Sequence, residues 1–139
     1  MSRAQTWLIV GGMFNLVFSS FAAYLLFWLR LREPHKKMPR YGLITHTSSI
    51  TMGLVLIALS VVIEQTHFGP KITLSLAIAA VVSTLLSDLR NLSLWAEGLE
   101  DGFGEVSETR RRLRGLGNAL NLMVMVAIFY GIVRTALGF

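Results

Sequence analysis

Read for hydropathy alone, the chain alternates between four long apolar runs and short polar connections. The runs cover about 7–29, 41–63, 72–95 and 116–137. Each approaches the roughly 20 residues that cross a bilayer's hydrocarbon at about 1.5 Å of helix rise per residue. Only helices and closed barrels satisfy every backbone group in hydrocarbon, and uninterrupted runs of this length are not barrel strands. The pattern therefore predicts an all-α integral membrane protein, a single transmembrane four-helix bundle spanning residues 1–139. The first run is too long for the apolar part of a secretory signal, and a basic cluster follows it. Its small-residue pair, Ser20 and Ala22, falls inside the run, so we read it as a mature helix.

The connections supply an orientation. The first, Arg30 to Arg40, holds Arg30, Arg32, Lys36, Lys37 and Arg40; the third, Ala96 to Gly115, holds Arg110, Arg111, Arg112 and Arg114. The opposite side has Arg3, Lys71 and, near the end of the last run, Arg134. Positive charge on cytoplasmic loops then places loops one and three inside and both termini outside. We expect a bacterial inner (cytoplasmic) membrane. The third connection, with Gly98, Gly102 and Gly104 ahead of its arginines, is long enough for a lid or a surface helix.

Composition narrows the chemistry. Of 139 residues, 53% are hydrophobic and 15% charged, against about 25% charged in soluble domains. With no cysteine, disulfides, thiolate metal sites and cysteine nucleophiles are excluded. The net charge of +5 comes mostly from the two basic loops, so it reads as topology and not as a nucleic-acid surface. Trp7, Trp28, Tyr41 and Trp95 stand near span ends, where aromatic rings favour the membrane interface. Ser75, Ala79, Ser83 and Ser87 recur every fourth residue, a small-residue row that lets another helix come close and makes the third span central.

Polar residues inside the spans are the candidate functional groups, because charge in hydrocarbon costs several kcal/mol. The third span carries Asp88, Arg90 and Asn91. Asp88, Asn91 and Trp95 follow i, i+3, i+7 spacing and share a helical face. Arg90, about 8 Å along the axis from Trp95, can snorkel towards the headgroups. The second span opens with His46, Thr47, Ser48, Ser49 and Thr51. At comparable depth stand Tyr24 of the first span and Asn121 of the fourth, with Asn118 nearer the boundary. This predicts a polar layer, and a pocket, in the cytoplasmic half, with little in the outer half beyond Asn15, Glu64 and Arg134.

Each of these residues also has an ordinary structural reading. Serine and threonine hydroxyls bond back to the carbonyl four residues earlier. Asn118 and Asn121 bond a neighbouring helix, and Asp88 with Arg90 forms a neutralised pair. A neutral imidazole such as His46 is a metal or haem ligand, or else a hydrogen-bonded packing residue. His35 and His67 lie in loops on opposite sides, so a bis-histidine haem is not expected. No zinc, phosphate-loop or serine-elbow motif is present.

Four helices, a histidine opening the second and a longer loop before the fourth form a pattern over nearly the whole chain, and within it two short stretches stand out. Gly53 follows His46 by seven residues at the start of the second helix, and Asn91 precedes Trp95, Ala96, Glu97 and Gly98 at the end of the third. In these positions, and in the His46 to Asn91 interval, the chain resembles the small four-helix membrane isomerases that include styrene oxide isomerase and hydroxylaminobenzene mutase. The resemblance implies a trimer with haem b held by His46 as axial and metal ligand, its open ferric face drawing on a substrate oxygen as a Lewis acid. Met52 stands where that family has its active-site asparagine, Ser87 where it has an aspartate (Asp88 is adjacent), and Trp95 where it has a tyrosine.

The expected function is thus a haem b-binding membrane isomerase that rearranges a small lipophilic substrate of epoxide or hydroxylamine type, drawn from the lipid bilayer. His46 holds the iron, and Arg90 pairs with a haem propionate. Asp88, Asn91 and Trp95 form the catalytic face. A homo-oligomer, by resemblance a trimer, is the expected assembly. The alternative is a non-enzymatic accessory subunit packed against a larger membrane complex; a small transporter is a third class.

Overall fold

In the computed structural model, which describes residues 1–100 and 108–138 (backbone alone at 109, 110, 113 and 114), the chain is helical. Helix α1 spans Arg3–Arg32, α2 Arg40–Val62, α3 Pro70–Ala96 and α4 Glu108–Leu137, with a 3₁₀ turn at Ile63–Thr66 extending α2. All four helices are long and apolar enough to cross a membrane.

Local chemistry explains the ends. Ser2 and Gln5 form a reciprocal capping box, so α1 begins one turn before its apolar run. Pro39 caps α2, and Pro70 starts α3 where its missing N–H costs nothing. Helix α3 stops in a left-handed Gly98 (φ 68°): Leu99 N–H bonds Leu94 O at 3.1 Å and Gly98 N–H bonds Trp95 O at 3.0 Å. Leu99 also packs beside Leu94, the apolar contact that accompanies this stop. Helix α4 begins at Glu108, well ahead of its apolar run, so Arg111 and Arg112 stand on its first turns and not in a loop. Gly102 and Gly104, and the side chains of Arg110 and Arg114, lie outside the described residues.

The interior has three tiers. Towards the chain termini lies an apolar core of Ala4, Leu8, Leu56, Ile63, Ala77, Val81, Val124 and Ile128, drawn from all four helices. At the other end Tyr41 and Leu94 form a small cluster with Ile44, Trp95 and Leu99. Between them α1, α2 and α3 are joined by polar side chains. Helix α3 packs against each of the other three, but of its small-residue row Ser83 alone is buried, Ala79 and Ser87 are half-buried and Ser75 is exposed. Helix α4 packs on α3 and the 3₁₀ turn and is the least buried, with 17% of its span buried against 28–39% for the others.

Polar contacts tie the first basic connection to the residues that follow α3. Arg40 donates to the Glu100 carbonyl (3.1 Å), Lys37 lies 4.0 Å from the Glu100 carboxylate, and Arg32 stacks 3.6 Å over Trp28. At the opposite end Ser2 donates to Glu64 and ties α1 to the 3₁₀ turn.

Candidate functional site: a polar layer in a three-helix core

The contacts between α1 and α2 begin from glycine. A Cβ on Gly12 would stand 2.7 Å from the Gly53 carbonyl oxygen, so the two backbones touch. Two turns along α1, the same seam brings Ser19 against His46.

Hydrogen counting assigns the imidazole. Ser19 Oγ donates its single hydrogen to the His46 carbonyl at 2.9 Å and lies 2.8 Å from His46 Nδ1, where it can only accept. The Ser19 carbonyl, 3.1 Å from the same nitrogen, is an acceptor as well. Both neighbours favour a proton on Nδ1, which in the neutral ring leaves Nε2 as the bare electron pair. A ring nitrogen fixed in this way by a backbone carbonyl is how proteins orient a ligating histidine. The ring is half-buried at the edge of the α1–α2 seam.

The face shared by Asp88, Asn91 and Trp95 is applied to α2. Asp88 Oδ1 accepts from Ser49 Oγ at 2.7 Å, and Asn91 Nδ2 donates to Ser48 Oγ at 3.3 Å. Trp95 closes over Gly42, where a Cβ would meet the indole at 2.9 Å. This indole is therefore half-buried packing, unlike exposed Trp7 and Trp28. Asp88 and Asn91 are each only 3% exposed.

The structure does not bring His46 onto that face. Ser48 lies two residues beyond His46, about 160° away around α2, so His46 serves the α1 seam while Ser48 and Ser49 serve α3. Arg90 likewise stands about 160° round α3 from Asp88. Among the described residues no group of three or more histidine, cysteine, aspartate or glutamate side chains converges to hold a metal. Tyr24, expected in the polar layer, faces outward at 63% exposure, because α1 turns its Asn15–Ser19–Ala22 edge inward. Asn118 is exposed, and Asn121 accepts from Ser83 at a long 3.4 Å.

Asn15 and Thr84 are the members of the layer that polar-residue counting undervalued. Asn15 is fully buried; its amide donates to the Gly11 carbonyl (2.9 Å) and to Thr84 Oγ1 (3.4 Å). The layer thus reaches mid-depth instead of ending in one half. The signal was the i, i+3, i+4 stripe Gly11, Gly12, Asn15, Ser19, Ala22, the same kind of pattern recognised on α3. Two buried oxygens in the layer, Asn15 Oδ1 and Asp88 Oδ2, have no hydrogen-bond partner among the described residues.

A groove of about 480 Å³ opens between α3 and α4, lined by Ile72, Leu76, Ala79, Leu120, Met123 and Ala127, with Lys71 at its rim. It lies towards the end opposite the basic segments, and none of His46, Asp88, Arg90, Asn91 or Trp95 lines it. The expected pocket in the other half is therefore not this groove. Compared with protein-family models, with curated proteins and with solved structures, the chain has no match.

Proposed function

We propose that the protein is a haem b-binding integral membrane isomerase with His46 as axial ligand, oriented with both termini outside the bacterial inner membrane. One observation carries the reading. Ser19 Oγ and the Ser19 carbonyl both lie within reach of His46 Nδ1, so in the neutral ring Nε2 presents a lone pair, the state a metal-ligating imidazole needs. When bound, a ferric haem supplies a Lewis acid for a substrate oxygen or nitrogen. The chain's part is to hold that group at the α1–α2 edge and to admit a small lipophilic substrate from the bilayer.

The other residues take modified roles in this reading. Asp88 and Asn91 are positioning groups that hold α2 against α3 through Ser49 and Ser48, and Trp95 sets the same contact by packing on Gly42. Since Arg90 and His46 are on different sides of the bundle, an Arg90–propionate pair requires a second copy of the chain, in keeping with a homo-oligomer.

The test is the absorption spectrum of protein purified in mild detergent from haem-replete cells, beside His46→Ala. A Soret band with stoichiometric iron, lost or shifted in the variant, supports the assignment. A colourless wild type overturns it.

A second reading, an accessory subunit, draws on α4, whose shallow burial and exposed Asn118 suit a protein partner. Co-purification with fixed partners favours it; a stable homotrimer isolated alone speaks against it.

A further inference from the structure

We propose that Asn15, Ser49, Thr84 and Asp88 form a buried ring that binds one small monovalent cation, of the size and hardness of sodium. The ring closes through contacts across three helices. Asn15 Nδ2 donates to Thr84 Oγ1 (3.4 Å); Thr84 and Asp88 adjoin one turn apart on α3; and Ser49 Oγ reaches Asp88 Oδ1 at 2.7 Å. Gly53 lies one turn beyond Ser49, and a Cβ there would stand 3.2 Å from Asn15 Cβ, which returns the circuit to its start. All four side chains are at least 96% buried.

Hydrogen accounting shows what is missing. Thr84 donates to the Val81 carbonyl at 2.8 Å, and the two Asn15 amide hydrogens go to Gly11 O and Thr84 Oγ1. Ser49 has one hydrogen and two acceptors at 2.7 Å, the Thr45 carbonyl and Asp88 Oδ1. Among the described residues no donor remains for Asn15 Oδ1 or Asp88 Oδ2. The ring is short of positive character, and its occupant must accept electron pairs.

Charge selects the occupant. A water could donate to both oxygens but would leave a carboxylate uncompensated in an apolar interior, at a cost of several kcal/mol. Around the ring α1 offers no charged group within a turn. On α2 His46 is engaged with Ser19, and on α3 Arg90 stands about 160° from Asp88. One positive charge neutralises the ring, whether a proton on Asp88 or a monovalent cation, and the comparison of salts separates the two; a divalent ion would leave one charge in excess. Carboxylate, amide and hydroxyl oxygens are hard donors suited to such a cation.

The test uses the full chain in detergent, with the unfolding midpoint followed by tryptophan fluorescence. Sodium, lithium, potassium and choline chlorides are compared at equal ionic strength. The expected result is a saturable rise with sodium over choline, lost in Asp88→Asn and in Asn15→Leu. Sodium should also protect Asp88 from a membrane-permeant carbodiimide, read by mass. If Asp88→Asn fails to fold, Ser49→Ala and Thr84→Val, which keep the carboxylate, must saturate only at higher sodium. Equal midpoints in all four salts with sodium-independent carbodiimide labelling would overturn the proposal in favour of a water or a proton. So would a sodium response that survives Asp88→Asn, or titrations unchanged in the two milder variants. The proposal does not rest on haem ligation: the sodium response should be the same in His46→Ala, so the two readings fail separately.

Discussion

Gly12 and Gly53 meet backbone to backbone: a Cβ on Gly12 would come within 2.7 Å of the Gly53 carbonyl oxygen, and one on Gly53 within 2.9 Å of the Gly12 carbonyl oxygen. The contact is reciprocal and involves main chain, so no side-chain movement relieves it. Either glycine to alanine should destabilise the bundle by about 1–3 kcal/mol through overpacking. At Gly115 and Gly117 a Cβ meets nothing among the described residues, so alanine there should be neutral or stabilise α4 by roughly 0.5–1 kcal/mol. Unfolding midpoints in detergent check the contrast.

Two serines on facing helices should respond very differently to loss of the hydroxyl. Ser49→Ala strips Asp88 Oδ1 of its donor and should cost about 1–3 kcal/mol, the penalty for a buried group left unserved. Ser83 spends its hydrogen on the Ala80 carbonyl at 2.8 Å and reaches Asn121 only at 3.4 Å. Ser83→Ala should cost about 0.6 kcal/mol or less, the average for interhelical bonds in membranes. Equal losses in the two variants would count against the assigned partners.

Ser19 orients His46 without being a ligand itself. Ser19→Ala removes the hydroxyl but keeps the carbonyl acceptor at Nδ1, so the tautomer should persist with a looser ring. Haem affinity should fall about 10–100-fold, as for other residues that support a ligating histidine. The check is haem titration by absorbance, in which the Soret band should survive in Ser19→Ala and disappear in His46→Ala.

The indole of Trp95 covers Gly42, with Leu26 on the same spot at 2.8 Å from where a Cβ would be. Gly42→Ala should push the ring outward and lower stability by about 1–3 kcal/mol. The emission maximum of the variant should move accordingly, and Trp95→Phe should remove that shift.

Because the chain has no cysteine, single substitutions report orientation cleanly. His35→Cys, in the basic connection between α1 and α2, should react with impermeant maleimide only from the cytoplasmic face. His67→Cys, after the 3₁₀ turn, should react only from the outer face. The reverse pattern would invert the proposed topology.

The four helices and their order are legible from apolar run length, because hydrocarbon leaves a backbone few alternatives. Helix ends are less so. Apolarity marks what can sit in lipid, whereas α1 and α4 continue through Arg3–Thr6 and Glu108–Gly115, where a capping box and strong helix formers suffice. The shared face of Asp88, Asn91 and Trp95 follows from spacing on a single helix. The partners do not: Ser19 to His46 spans 27 residues, and Asn15 to Thr84 spans 69. Those pairings depend on the α1–α2 register where Gly12 meets Gly53 and on the α1–α3 register where Gly11 meets Val81, and the stripe on α1 marks its inward edge without naming the residue opposite.

The shallow seating of α4 gives the molecule a lever. Gly131 is held where a Cβ would strike Thr66 and Phe68, while at Gly115, sixteen residues away, a Cβ would meet nothing among the described residues. At 1.5 Å per residue the arm is about 24 Å long, so a tilt of about 10° at the fulcrum sweeps its far end by about 4 Å. Such a tilt would change the width of the α3–α4 groove without involving the Asn15–Thr84 and Ser49–Asp88 bonds, which join the other three helices.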